Sequence, residues 1–208
     1  MNLAVFSALI LTALLLPPAS AVGQTAPKWS YGFDATFNVL PGQEDFVQPT
    51  GTADRGTLHL ESRYNYEDRE SISGFVGWNY ETQRQDKWHL ALTPMFGGVA
   101  GSIGGVIPSL ELTLDYGKLE LDAEDEYVIE VSQSSDSFFY HWSELTFAPS
   151  AWFAAGLAIQ RSRVIHSSRD TQTGPMARVT KGPVEAGFYF FNLGTDDRYF
   201  NGSIGVTF

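Results

Sequence analysis

His141 and Ser143 stand two residues apart in the stretch Phe139-Tyr140-His141-Trp142-Ser143-Glu144. On an extended chain that spacing puts both side chains on one face, where an imidazole can take the hydroxyl proton and create an oxygen nucleophile. Such a pair needs an acid behind the imidazole to fix its tautomer. Glu144 has the opposite parity, and the spacing assigns no other acid. Two residues at this spacing also occur by chance, so the balance of the sequence reads as a non-enzyme. His166-x-Ser168 repeats the pattern in a segment that reads as a loop.

The run Asp122-Ala123-Glu124-Asp125-Glu126 is the other chemical candidate. Clustered carboxylates offer the oxygen ligands that calcium prefers, which makes Asp122, Glu124, Asp125 and Glu126 candidate cation ligands. The run lacks the glycine and the ligand spacing of an EF-hand loop, and a charge run is more often a solvated surface. No cofactor motif is legible. Met95 to Pro108 is rich in glycine but has no Gly-Lys-Ser/Thr, and it reads as a strand end followed by a flexible turn on the periplasmic side. Asn201-Gly202-Ser203 fits a glycosylation sequon but lies within the last strand.

The elements that position these residues are strands. From Trp29 to Val39 the odd positions are Trp, Tyr, Phe, Ala, Phe and Val, and the even ones are Ser, Gly, Asp, Thr and Asn. The last strand repeats the alternation, with Phe200, Gly202, Ile204, Val206 and Phe208 on one face. Similar runs recur from Leu58, Ile72, Trp88 and Leu110, and less tidily over 138–147, 152–164, 174–180 and 184–192. The clear runs are about ten residues long, which is what a tilted strand needs to cross a bilayer. Aromatic residues fall near strand ends (Trp29, Tyr64, Tyr66, Trp78, Tyr80, Trp88, Tyr116, Trp142, Trp152), as an interfacial girdle requires.

The first 21 residues have an apolar core, Leu3 to Leu16, and end in Ala19-Ser20-Ala21. This pattern predicts a signal peptide cleaved after Ala21, leaving one domain over 22–208. The net charge of −11 argues against nucleic acid as a partner, and the absence of cysteine excludes disulfides and thiolate metal sites.

Together these features predict an all-β fold: a closed antiparallel transmembrane barrel of about ten strands, within a range of eight to twelve. Tight turns are expected at 67–70, 148–150 and 181–183 on the periplasmic side, and long acidic loops at 40–55, 117–137 and 165–173 outside. Leu119 to Val131 could instead supply a further pair of strands. The parity sends Asp34, His59, Glu61, Arg63, Glu111, Asp115, Arg178 and Glu185 into the lumen. Both signs are present, so the ordinary reading is a paired, hydrogen-bonded filling. The functional alternative is a narrow path for small solutes.

The closing pattern Phe200-x-Gly202-x-Ile204-x-Val206-x-Phe208 resembles the C-terminal β-signal of Gram-negative outer-membrane proteins. That resemblance implies recognition by the barrel-assembly machinery and residence in the outer membrane, among its lipids and lipopolysaccharide. The segment from Phe139 to Arg161 is similar to a group of small barrels without an assigned function. His141-x-Ser143 resembles the arrangement in outer-membrane lipid A deacylases, where an acid on a neighbouring strand orients the histidine, although the flanking residues of that motif are not found here. The expected function is therefore a barrel with a filled or narrow polar lumen, structural or a restricted channel, with no cofactor. A lipid-modifying enzyme and a loop-mediated binding or adhesion barrel are the alternatives. Acids outside the membrane, beside anionic lipopolysaccharide, would share divalent cations with it.

Overall fold

The computed structural model describes residues 27–84, 88–131, 136–164 and 170–208. The predicted leader and the His166-x-Ser168 pair lie outside these residues. Within them the chain is all antiparallel β-structure. The strands are β1 (Ser30–Val39), β2 (Phe46–Arg55), β3 (Leu58–Tyr64), β4 (Ser71–Trp78), β5 (Tyr80–Arg84), β6 (Trp88–Gly101) and β7 (Gly105–Tyr116). They continue with β8 (Leu119–Glu130), β9 (Phe138–Ser150), β10 (Phe153–Arg161), β11 (Gln172–Lys181), β12 (Val184–Phe191) and β13 (Tyr199–Thr207).

Two seams turn this sheet into a barrel. β1 pairs with β13 from Gly32↔Thr207 to Val39↔Phe200. Beyond that ladder Tyr31 and Phe208 exchange backbone hydrogen bonds of 2.8 and 2.9 Å, so the terminal residue is part of the closure. At the other seam β4 pairs with the upper part of β6, from Ser71↔Gly101 to Gly77↔Met95, while β5 pairs with its lower part, from Tyr80↔Leu92 to Arg84↔Trp88. β4 and β5 are therefore one stave interrupted at Asn79, whose N–H donates to the Thr57 carbonyl at 2.8 Å. Among the described residues the thirteen strands make twelve staves, and the β4–β6 pairing closes them into a barrel.

The stave number corrects the expected ten. The two strands that were missing are β2 and β8, which fall in segments expected to be long loops. The outward positions of β2 are Val47, Pro49, Gly51 and Ala53, too small and too proline-broken to show an apolar stripe. In β8 the inward positions are Glu120, Asp122, Glu124 and Glu126, so its acidic face looks like solvated loop although it is the wall of the lumen. Most of the segment 117–137, expected to be a long loop, is thus barrel wall over Leu119–Glu130.

The start of β1 and the end of β13 lie at one end, with the connections 56–57, 117–118, 151–152 and 182–183. Gly56, Gly117 and Gly182 begin three of these turns with φ of 62°, 66° and 61°, the left-handed geometry that two-residue hairpins demand. The opposite end carries 40–45, 65–70, 102–104 and 192–198, together with the end of β8, the start of β9, the end of β10 and the start of β11. Two expectations about sides are corrected here. The turn over 67–70 and the glycine-rich turn inside 95–108 both lie at the loop end, because the missing β2 shifted the alternation of sides by one. Trp29, Trp78, Tyr80, Tyr116 and Trp152 point outward and are exposed towards the terminus end, forming a girdle, whereas Tyr66 and Trp142 turn into the lumen.

Close backbone approach limits substitution on the wall. A Cβ on Gly174 would lie 1.8 Å from the Phe190 carbonyl oxygen and 2.7 Å from its carbon, both fixed by the ladder. Gly174→Val is expected to destabilise the barrel by roughly 1–3 kcal/mol, seen as a lower urea midpoint of the refolded protein. Gly98→Ala, whose added carbon meets only the Gly105 carbonyl oxygen at 3.5 Å, is expected to leave the midpoint unchanged.

Candidate functional site

The period-two alternation delivers His59, Glu61 and Arg63 of β3 to the lumen, and Arg63 becomes its hub. Its Nη1 lies 2.6 Å from both Glu124 Oε1 and Glu126 Oε1, its Nη2 lies 3.9 Å from Glu111 Oε1, and its Nε donates to Glu61. The guanidinium carbon sits 4.4 Å from the Tyr66 ring centroid and 4.5 Å from that of Phe75, so it is held between rings as well as charges. Tyr140 donates to the Tyr66 hydroxyl at 3.0 Å, and Tyr66 donates to Glu124 at 2.7 Å. On the far side of Glu61, His59 bridges Glu61 (3.2 Å) and Asp54 (2.8 Å).

A smaller knot stands across the lumen. Arg178 donates to Glu120 and lies 3.8 Å from Asp122 and 3.7 Å from Glu185. Glu144 accepts from Tyr189 (2.8 Å) and Trp142 (2.9 Å). Between the knots is a cavity of about 320 Å³, reached by Asp34, Glu61, Arg63, Glu111, Arg178 and Glu185.

Water access is graded along the axis. The side chains of Glu185 and Asp115 are 44 % and 38 % exposed, whereas those of Arg63 and Glu126 are 1 % and 0 %. The loop-side half is lined by two apolar groups. One is Phe75, Met95, Val99, Ile103, Ile107 and Val128, and the other centres on Met176, Tyr189, Phe191 and Tyr199. The lumen is therefore a wet acidic vestibule on the terminus side that narrows to a packed constriction at Arg63.

All eight residues assigned to the interior by parity point into the barrel: Asp34, His59, Glu61, Arg63, Glu111, Asp115, Arg178 and Glu185. The acidic run proposed as an external cation site is corrected. It is split by β8, with Asp122, Glu124 and Glu126 inside and Asp125 outside. The group whose donor atoms do converge is His59, Glu61 and Glu111, within 4.8 Å of one another. Two of the three are already engaged by each other and by Arg63, so a dication there would compete with the guanidinium.

A different set of polar groups faces away from the lumen. His141 and Ser143 share the outward face of β9 with Phe139, Leu145 and Phe147, while Glu144 faces inward as its parity requires. Asp125 is the registered partner of His141 on β8, and Ala123 is the partner of Ser143. Asp125 Oδ1 lies 2.8 Å from His141 Nδ1, and Ser143 Oγ lies 2.9 Å from His141 Nε2. With the aspartate accepting from Nδ1–H, the other nitrogen keeps its lone pair for the serine hydroxyl. Sequence reasoning missed this acid because β8 read as a loop. The signal was present in its parity: Asp125 shares its face with Leu119, Leu121, Tyr127 and Ile129.

A closed antiparallel barrel with an apolar outer wall and a charged interior is a transmembrane β-barrel of the outer-membrane type. Its fold is similar to that of a solved KdgM porin, with a TM-score of 0.55 at 11 % identity over 85 % of this chain and 98 % of that one. Two further solved barrels align with the chain. Omp33 of Acinetobacter baumannii does so with a TM-score of 0.45 and 10 % identity over 88 % and 99 % of the two chains. The translocator domain of the autotransporter NalP from Neisseria meningitidis gives 0.36 and 13 % identity over 89 % of each. No protein-family model and no curated protein matches the sequence.

The Arg63 hub has a measurable weight. Arg63→Ala leaves Glu61, Glu124 and Glu126 buried without their counter-charge and is expected to cost roughly 3–5 kcal/mol, read by urea unfolding followed through tryptophan fluorescence. Adding Glu126→Gln to that variant should recover part of the loss, because it removes one of the stranded charges.

Proposed function

We propose that the protein is an outer-membrane barrel that provides a restricted, cation-preferring path for small solutes. The observation that carries this reading is the charge balance of the lumen. Asp34, Glu61, Glu111, Glu124, Glu144 and Glu185 line one cavity with Arg63 and Arg178, and Glu120, Asp122 and Glu126 pair with those two arginines beside it. Low-dielectric walls strengthen the field of such an excess, drawing cations into the vestibule and repelling anions. The packed constriction at Arg63 limits what passes to small solutes. The fold shared with a porin supports a channel role.

The same reading supplies the surroundings. A leader over 1–21, cleaved after Ala21, carries the chain to the periplasm. There the closing strand, with Phe200, Gly202, Ile204, Val206 and Phe208, is read by the barrel-assembly machinery. Short turns and both termini then face the periplasm, the loop end faces outward, and lipopolysaccharide surrounds its outer rim.

Reversal potentials across a planar bilayer under a salt gradient test the proposal. The refolded protein is expected to give small discrete steps with a cation preference, and Glu111→Gln with Glu185→Gln should reduce that preference. A silent bilayer would leave a structural barrel in place of a channel.

A further inference from the structure

We propose that Asp125, His141 and Ser143 form a second, independent site: a serine esterase on the lipid-facing wall that cleaves acyl esters of membrane lipids. The geometry is that of a complete acid, base and nucleophile relay, with contacts of 2.8 Å from Asp125 to His141 Nδ1 and 2.9 Å from His141 Nε2 to Ser143 Oγ. A cross-strand pair and a residue two places along the same strand hold all three on rigid sheet rather than on a loop.

The location selects the substrate. On β8, β9 and β10 the outward positions are otherwise leucine, isoleucine, phenylalanine, tyrosine, alanine and proline, apart from Arg161. Polar groups facing lipid are unfavourable, so a hydrogen-bonded set of three there needs a reason beyond packing. The set lies towards the loop end of β9, which in the orientation proposed above is the side of the outer leaflet, where ester linkages meet their acyl chains. Ile159 is level with Ser143, and below it, towards mid-membrane, Leu121, Leu145, Phe147 and Leu157 offer an apolar wall for the chain being cleaved. Arg161 is the registered partner of His141 on the other flank and places a cation on the same face, suited to a headgroup phosphate.

The reaction balances with water as the only co-reactant. Ser143 Oγ attacks the ester carbonyl carbon while its proton passes to His141 Nε2, and Asp125 stabilises the resulting imidazolium. The tetrahedral intermediate collapses, the bond from the carbonyl carbon to the lipid's alcohol oxygen breaks, and His141 returns the proton to that oxygen. Water, deprotonated by His141, then attacks the acyl-serine, releasing a fatty acid and restoring Ser143.

The test is fatty-acid release, by mass spectrometry, from two sets of vesicles carrying the refolded full barrel. One set is phosphatidylethanolamine with phosphatidylglycerol, and the other is the same mixture doped with lipid A. Release from the first identifies a glycerophospholipid ester, and release of hydroxylated or lipid A-derived chains only from the second identifies lipid A. Ser143→Ala is expected to abolish release, and Asp125→Asn to lower it by roughly 10²–10⁴-fold. A fluorophosphonate probe should add its mass to Ser143 in the unaltered protein and not in His141→Asn. No release from either vesicle set by correctly folded protein, or release that persists in Ser143→Ala, overturns the proposal.

Discussion

The structure depends on one constraint: in a bilayer every backbone N–H and C=O must be paired within the protein. The β1–β13 seam and the β4–β6 seam meet it by closing the sheet, down to the hydrogen bonds between Tyr31 and Phe208. Closure gives every strand one face towards lipid and one towards the lumen. The two environments differ so strongly that each residue's chemistry is decided by its parity. Leu60 sits beside Glu61 on one strand, yet Leu60 is outside and Glu61 is one of the acids around a buried arginine.

The lumen then poses its own problem, because twelve staves enclose a volume too large for apolar filling alone and too narrow for bulk water throughout. The barrel divides it. Apolar side chains occupy the loop-side half, and Arg63 gathers carboxylates at their border. Buried ion networks of this kind are poor sources of net stability but costly to break, which favours a single arrangement of the interior over competing ones. The vestibule on the terminus side keeps Glu185 and Asp115 open to water.

Where the sequence was legible, and where it was not, follows from the same division. The first and last strands and β3 showed clean alternation because large apolar side chains met lipid on one side. β2 escaped notice because its lipid face is built from Val47, Pro49, Gly51 and Ala53, while the large aromatics Phe37, Phe33 and Tyr31 stand on the registered strand β1. β8 escaped notice for the opposite reason: its lumen face carries so many acids that it resembles solvent-facing chain. The lumen residues needed only parity and so were within reach. The partner of His141 needed the register between β8 and β9, which no local pattern supplies.

β8 also shows how acids can fix register as firmly as apolar residues do. Sliding it by one position would turn Glu120, Asp122, Glu124 and Glu126 into lipid and Leu121, Ala123, Tyr127 and Ile129 into the lumen, reversing a favourable partition at each of these positions. The Arg63 and Arg178 contacts would be lost in the same step. The registered strand leaves a single carboxylate, Asp125, on the wrong side of that partition. It is the carboxylate that His141 meets from the neighbouring strand, so the exception to the rule is itself paired. A lone acid in lipid would be selected away by its cost. One held by an imidazole, with a serine on the far side, persists as part of a unit whose members are each unfavourable there alone.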